Sequence, residues 1–380
     1  MRPAALAATR LSTSALADQR PTAAKEKARD IDVGRLLVVA PNFKKRLSGV
    51  TSTIIQLVPL QARTLPIASL GTGLTPHVPR MRWKQVPGLL RRPEARSFRI
   101  WHARRNVEMI GGLLLRDLFR APLKIVFTSA AQRHHKPFTR WLIARMDAVI
   151  ATSARSGRFL RVPHTVVLHG IDLGTFTPAV NRDRAVAEAG FLGHKLIGCF
   201  GRIRPQKGTD LFVEAMLDLL PQHPGWTAII TGRVTAEHQA FAADLQARIR
   251  AAGLADRILF LGEVPDIKPW YQRLTLYVAP SRNEGFGLTP LEAMACGAAV
   301  VASDAGAYAE MILPDRTGQV VPAGDAGALR AAIQPYLETP GLAEFHGMAA
   351  LAHVRATFPL QREADAIRAV YDRLWQGEAP

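Results

Sequence analysis

The chain has little of what marks an exported, metal-stapled or membrane-spanning protein. Two cysteines, Cys199 and Cys296, stand among 380 residues. They are too few and too far apart for a disulfide framework or a zinc site, so a reducing cytoplasm is the default. No uninterrupted apolar run approaches the ~18 residues that a membrane span needs. The spacings of zinc fingers, RNA-recognition domains and basic zippers are absent, which removes the usual grounds for expecting nucleic acid. The first thirty residues are rich in Ala, Ser and Thr, with no acidic residue before Asp18. Arg10 and several hydroxyl residues interrupt what would be the apolar core of a secretory signal. Residues 1–32 are therefore expected to be a disordered tail or the product of a start codon placed too early.

Acidic residues are scarce in one half only. Residues 1–176 hold 30 Lys/Arg against 9 Asp/Glu, net +21, whereas residues 177–380 hold 19 against 22, net −3. Within the basic half, "RMRWKQVPGLLRRPEARSFR" (80–99) interleaves seven basic residues with Trp83, Leu89, Leu90 and Phe98. That mixture suits an anionic membrane surface, where each basic residue near the headgroups contributes about 1 kcal/mol. A solvated basic loop is the plainer alternative.

Hydrophobic content of 48% with 21% charged residues is globular composition, and the length suits two domains. Both halves alternate short apolar runs with amphipathic helices, the pattern of parallel α/β sheets. Strands are expected at "RLLVVAP", "FRIWHA", "KIVFTSA", "AVIATS" and "HTVVLHG", then at "HKLIGCFGR", "TAIITGR", "RILFLGEV", "LYVAPS" and "GAAVVASDAG". The polar stretch 169–185 reads as a linker, and 358–375 as an amphipathic terminal helix. The prediction is an α/β protein of two doubly wound Rossmann-like domains, 33–176 and 177–357, with residues 358–380 completing the chain. Ligands are expected at the carboxyl ends of the strands.

Two segments of the second half carry chemistry. In "EGFGLTPLEAMACG" (284–297), Thr289, Pro290 and Glu292 fit a capping box, which accounts for Glu292 without a ligand. Nothing of the kind accounts for Glu284, or for Gly285 and Gly287 around an exposed-looking Phe286. Glycines before a helix leave backbone N–H groups open to an anion, whereas a carboxylate there calls for hydroxyl donors. A nucleoside diphosphate sugar supplies both. The second segment, "GRIRPQKGTD" (201–210), brings Arg202 and Lys207 to another strand end.

Together with "HGIDLGTFTP" (169–178), these segments resemble the retaining nucleotide-sugar glycosyltransferases of family 4, over about residues 34–375. The resemblance implies the two-Rossmann GT-B fold, with the terminal helix crossing back onto an N-terminal, acceptor-binding domain. It implies that Glu284 contacts the donor sugar's hydroxyls and Glu292 the ribose. Arg202 and Lys207 would neutralise the diphosphate, and Glu284, Arg202 and Lys207 form the implied catalytic set. Gly49, Gly285, Phe286, Gly287, Leu288 and Thr289 would line the donor, with Ile267 near the base. No metal is implied; the Asp30-Ile31-Asp32 spacing is read as coincidence.

"APNFKKRLSGVTSTIIQLVPLQ", "WHARRNVEMIGGLLLRD" and "FTSAAQRHHKPFTRWLIARMDAVIATS" are similar to bacterial lipopolysaccharide-core mannosyltransferases. That similarity implies GDP-mannose as donor and a lipid-linked acidic saccharide, the Kdo-lipid A core, as acceptor. It implies a cytoplasmic protein peripheral to the anionic inner leaflet. His102, Arg104, Arg105, His134, Arg82, Trp83, Lys84, Arg91 and Arg92 are the candidates for facing acceptor or membrane. The alternatives are a UDP-sugar with another acceptor, nucleotide-sugar epimerisation, and a non-catalytic polyanion-binding protein on the same scaffold. Three positions depart from the family. Ala130 stands where many members have a histidine, Ser48-Gly49 replaces paired glycines, and His169 replaces an asparagine.

Overall fold

The computed structural model describes residues 31–44 and 49–378; the tail up to residue 30, including Asp30, and Ser48 lie outside them. Among the described residues the chain forms two wholly parallel sheets. The first runs β3-β2-β1-β4-β5-β6-β7, built from β1 Val38–Asn42, β2 Ile67–Gly71, β3 Arg80–Met81, β4 Arg99–Ala103, β5 Leu123–Ser129, β6 Ala148–Ala151 and β7 Thr165–Val166. The second runs β10-β9-β8-β11-β12-β13, from β8 Lys195–Phe200, β9 Trp226–Thr231, β10 Ile258–Gly262, β11 Leu274–Ala279, β12 Ala299–Ser303 and β13 Gly318–Val321. Parallel strands covered on both faces have no solvent side, so they read as unbroken apolar runs. Every residue of β1, β9, β11 and β12 is buried.

Strand order decides where a ligand can enter. In each sheet the winding reverses between two central neighbours, β1 and β4 in the first, β8 and β11 in the second. The loops leaving those neighbours diverge and open a crevice at the carboxyl edge. Segment 201–208 leaves β8 and segment 280–288 leaves β11, so the two segments singled out by sequence meet at the reversal of the second sheet.

The terminal helix Leu360–Gln376 is covered by the first sheet rather than the second. Its Ala364, Ile367, Val370, Tyr371 and Leu374 recur at helical spacing and pack with Val38, Ile54, Leu57 and Ile100. The linker is also pinned. Ile171 N–H donates to the Phe358 carbonyl (2.8 Å) and Leu360 N–H returns to the Ile171 carbonyl (3.0 Å), so both crossings of the chain are hydrogen-bonded at one point.

Two sequence expectations change here. Arg99, counted in the basic run, is fully buried; its guanidinium donates to the carbonyls of Val33 (2.7 Å), Leu36 (2.9 Å) and Arg91. It fastens the run to the sheet instead of offering charge to solvent. Phe286, expected to be exposed, is buried.

Candidate functional site

At the reversal of the second sheet, Lys207 and Glu284 come together across 77 residues of sequence. The Lys207 ammonium donates to Glu284 Oε2, and Glu284 Oε1 accepts from Gly285 N–H at 3.1 Å. Both side chains are only 20% exposed, so each charge leans on the other. This ion pair accounts for a carboxylate that no local motif explained. Gly208, with φ of 69°, allows Lys207 to sit on a tight turn against the Pro280 backbone, where any Cβ would collide. Arg282 clamps the two loops from outside, bidentate to Asp210 (2.8 and 2.7 Å) and bonded to the Pro205 carbonyl (2.6 Å).

Lys207, Arg202, Ser281, Thr289 and Tyr308 line a small pocket beneath these loops. Arg204 adds a half-buried cation that interacts with Glu284, and its Nε has no hydrogen-bond partner. Cys199 lies on the pocket floor, where burial pushes its thiol up to about 12 and leaves it unsuited to nucleophilic work. The arrangement offers convergent cations and backbone donors to a polyanion, and one carboxylate to hydroxyls.

The capping box does not form. The helix Thr289–Ala295 takes Leu288 at its N-cap with no side-chain cap, and the Thr289 hydroxyl instead meets those of Tyr277 and Tyr308. Glu292 turns inward and accepts from the Tyr271 hydroxyl. Burial, the dominant cause, holds its carboxyl above the ordinary range against the pull of that bond and of Lys207. Glu292 thus faces Tyr271 instead of capping its helix. Gly287, with φ of 86°, brings the backbone against Tyr308, whose ring a Cβ would strike. Ile267 is the N-cap of the short helix Lys268–Arg273 and packs partly buried in the core beneath it.

From the first sheet, Ala130 faces the glycine turn: its carbonyl would lie 3.3 Å from a Cβ on Gly285. Near Ala130, where the family histidine is missing, His135 comes within 3.4 Å of the Ser129 hydroxyl. His134 packs edge-on against Phe159 at 5.3 Å. His102 is not an acceptor-facing or membrane-facing residue. It is fully buried in β4, its ring nitrogens on the Tyr371 (2.5 Å) and Thr128 (2.6 Å) hydroxyls, and burial pushes its pKa well below the usual range. Arg105 is likewise engaged inside, with Glu108 (2.8 Å), Asn42 (2.7 Å) and Thr51 (2.9 Å). Arg104 is half-buried beside Glu363 and Tyr371. Arg82, Trp83, Lys84, Arg91 and Arg92 are exposed, and Gly49 opens the helix after β1. Asp32 of the Asp-x-Asp spacing accepts from Gly34 N–H (2.9 Å) and lies 3.7 Å from Arg35. Among the described residues no group of three or more His, Cys, Asp or Glu converges on a common point.

Sequence reasoning passed over His169 as a contact. Its Nδ1–H donates to Glu363 of the terminal helix (2.6 Å), whose other oxygen accepts from Gly170 N–H (2.8 Å). The His169 ring meets Phe286 edge-on at 4.7 Å, so the linker touches the turn that carries Glu284.

Known proteins resemble both the sequence and the architecture. The family described as glycosyl transferases group 1 matches residues 194–339. A lipopolysaccharide core biosynthesis mannosyltransferase LpcC of Rhizobium leguminosarum bv. viciae is 63% identical over 344 residues, spanning 90% of this chain and 98% of that protein. A second mannosyltransferase of that description, LpsB of Rhizobium meliloti (strain 1021), is 51% identical over 348 residues, 90% of this chain and 99% of its own. Among solved structures, Anabaena Alr3699/HepE in complex with UDP superposes with a TM-score of 0.76 at 19% identity, covering 89% of this chain and 100% of that one.

Proposed function

The chain belongs to the lipopolysaccharide core biosynthesis mannosyltransferases of the group 1 glycosyltransferases, and from that premise we propose that it moves mannose from GDP-mannose, with retention, to the Kdo-lipid A inner core. The observation that carries the donor side is the Lys207–Glu284 pair at the sheet reversal. When the donor enters, Lys207 and Arg202 turn to its diphosphate and Glu284 to the sugar hydroxyls. Each exchanges one partner for another, so the burial cost of both charges is already met.

The glycosidic C–O bond to phosphate then lengthens toward an oxocarbenium-like state, and negative charge collects on the leaving diphosphate. Arg202, Lys207 and the N–H groups at the start of the helix Thr289–Ala295 stabilise that charge in place, the electrostatic contribution that is usually largest. The acceptor hydroxyl attacks from the face the diphosphate is leaving and passes its proton to the departing phosphate oxygen. Glu292 takes the ribose hydroxyls, whose donation offsets the cost of its burial. The N-terminal half, net +21, suits an acceptor bearing carboxylates and phosphates at the cytoplasmic face of an anionic leaflet.

Incubation with GDP-mannose and separately with UDP-hexoses, each with and without Kdo-lipid A, tests the reading. Mannose transfer that requires both GDP-mannose and the Kdo-lipid is expected. Transfer from a UDP-hexose alone would overturn the donor, and turnover with none of them would overturn the enzyme.

A further inference from the structure

The first half carries an apolar face that its sequence did not single out. Val107, Leu114, Leu118, Phe119, Phe138 and Trp141 are each 46–67% exposed. They come from two neighbouring elements. One is α2 Asn106–Leu113, which continues into a wide π-type turn, Leu114–Leu118; the other is α3 Pro137–Ile143. (The helix Gly49–Gln61 is α1.) The two lie side by side, tied near one end by Asn106 Nδ2–H to the Thr139 hydroxyl (2.7 Å). Beyond α3 the tie is Arg116, which donates to the Arg145 carbonyl (3.1 Å) and to Asp147 (2.7 Å).

Their inner sides fill the core through Met109, Leu113, Leu142 and Ile143. The apolar outer side is therefore surplus to folding. The Phe138 and Trp141 rings stack at 6.0 Å, and the Arg145 guanidinium lies 3.7 Å over the indole. Phe43, packed on Gly111 of α2, links this face to Trp83, 5.5 Å from it, at the head of the basic run.

Charge says what the face fits. Arg120, Lys136, Arg140 and Arg145 stand exposed around it, whereas the acid on it, Asp117, is already paired with Arg116 at 2.7 Å. Large exposed apolar area rimmed by one sign of charge marks an interaction surface. A second copy of the chain is a poor occupant, because a two-fold contact would set this basic rim against itself. An anionic bilayer takes both the rings and the charges. Position agrees: α3 follows directly from the loop whose Ala130 faces the Gly285 turn, so a surface laid on this face borders the mouth of the cleft.

We propose that the α2–α3 face is the surface by which the protein lies on anionic lipid, with Phe138 and Trp141 entering the headgroup layer and the basic run 80–92 as its flank. The proposal rests on the lipid-acceptor reading, and its test separates the two. Flotation is measured with vesicles of phosphatidylglycerol and phosphatidylethanolamine, and with phosphatidylcholine alone. The proteins are the full chain, Phe138→Ser/Trp141→Ser and Arg140→Glu/Arg145→Glu. Binding to the anionic vesicles alone is expected, weakened by roughly 100-fold in either double variant. Mannose transfer to a deacylated, water-soluble Kdo acceptor should be unchanged in both. Variants that float like the parent, equal binding to phosphatidylcholine, or a parent dimer that the substitutions dissociate would overturn the docking face. Failure of the parent to use the soluble acceptor would overturn the acceptor reading while leaving the flotation result to stand by itself.

Discussion

Removing the Lys207 ammonium separates two roles that the structure joins in one side chain. In the structure Lys207 balances Glu284, and in the proposed reaction it balances the leaving diphosphate. The side chains are 20% exposed, so the pair lies between a surface bridge, which contributes about 0–1 kcal/mol, and a fully buried one. Lys207→Ala is expected to lower Tm by a few degrees at most. Loss of a phosphate-stabilising donor costs far more in rate, about 100–1,000-fold in kcat.

The double variant Lys207→Ala/Glu284→Gln discriminates between the two roles. It removes the carboxylate that the single variant leaves without its cation. It is read against Glu284→Gln alone, because that substitution removes a sugar contact of its own. If the Lys207→Ala defect arose from the stranded charge, the double variant would transfer as fast as Glu284→Gln; if it arose from the lost phosphate partner, Tm would recover while transfer stayed about 100–1,000-fold below Glu284→Gln. The assay is labelled-mannose transfer from GDP-mannose at saturating donor, beside thermal unfolding of the same preparations. A Lys207→Ala variant within about threefold of the parent rate, or a double variant as fast as Glu284→Gln alone, would refute the reasoning from the pair.

Two further outcomes follow from the same loop. Burial holds the Glu292 carboxyl above its ordinary value of 4.5, so the ionised form opposes folding. That opposition is absent below the unfolded value and grows as pH rises through the raised folded one. Glu292→Gln should therefore raise Tm at neutral pH and lose this advantage in acid, while donor KM rises by about 10–100-fold as hydrogen bonds to a charged acceptor disappear; unchanged KM would remove the ribose role. Gly287→Ala should destabilise by about 1–3 kcal/mol because φ is positive and Tyr308 occupies the Cβ position. Gly285→Ala, at ordinary φ and with the Ala130 carbonyl 3.3 Å from the new Cβ, should lower Tm less than Gly287→Ala, which calorimetry on the two variants compares.

How much was readable depended on how local the physics is. "VVAPN", "WTAIIT" and "AVVAS" are strands by their unbroken apolar runs alone, since parallel strands covered on both sides need no alternation. β2, whose IASLG run is broken by Ser69, the two-residue β3 and the glycine-led β13 leave a weaker trace, and all three were missed. Glu284 was conspicuous for lacking a local partner, and its partner proved to be 77 residues away, beyond any spacing rule. Thr289 and Glu292 misled for the opposite reason. Their spacing met a local rule, but the tyrosines at 271, 277 and 308 compete for the same polar groups. Arg99 and His102 read as surface charge because burial of a polar side chain depends on carbonyls and hydroxyls brought in by other strands and by the terminal helix.

The return of the terminal helix to the first sheet has a consequence for synthesis. Val38, Ile54, Leu57 and Ile100 need Ile367, Val370, Tyr371 and Leu374 as neighbours, yet 193 residues separate β7 from that helix. At ribosomal speeds of about 5–20 residues per second, the first half leaves the exit tunnel roughly ten to forty seconds before its cover is made. Throughout that interval a nascent chain exposes an apolar furrow on a strongly basic surface. A product that stops short of Leu360 would keep that furrow open.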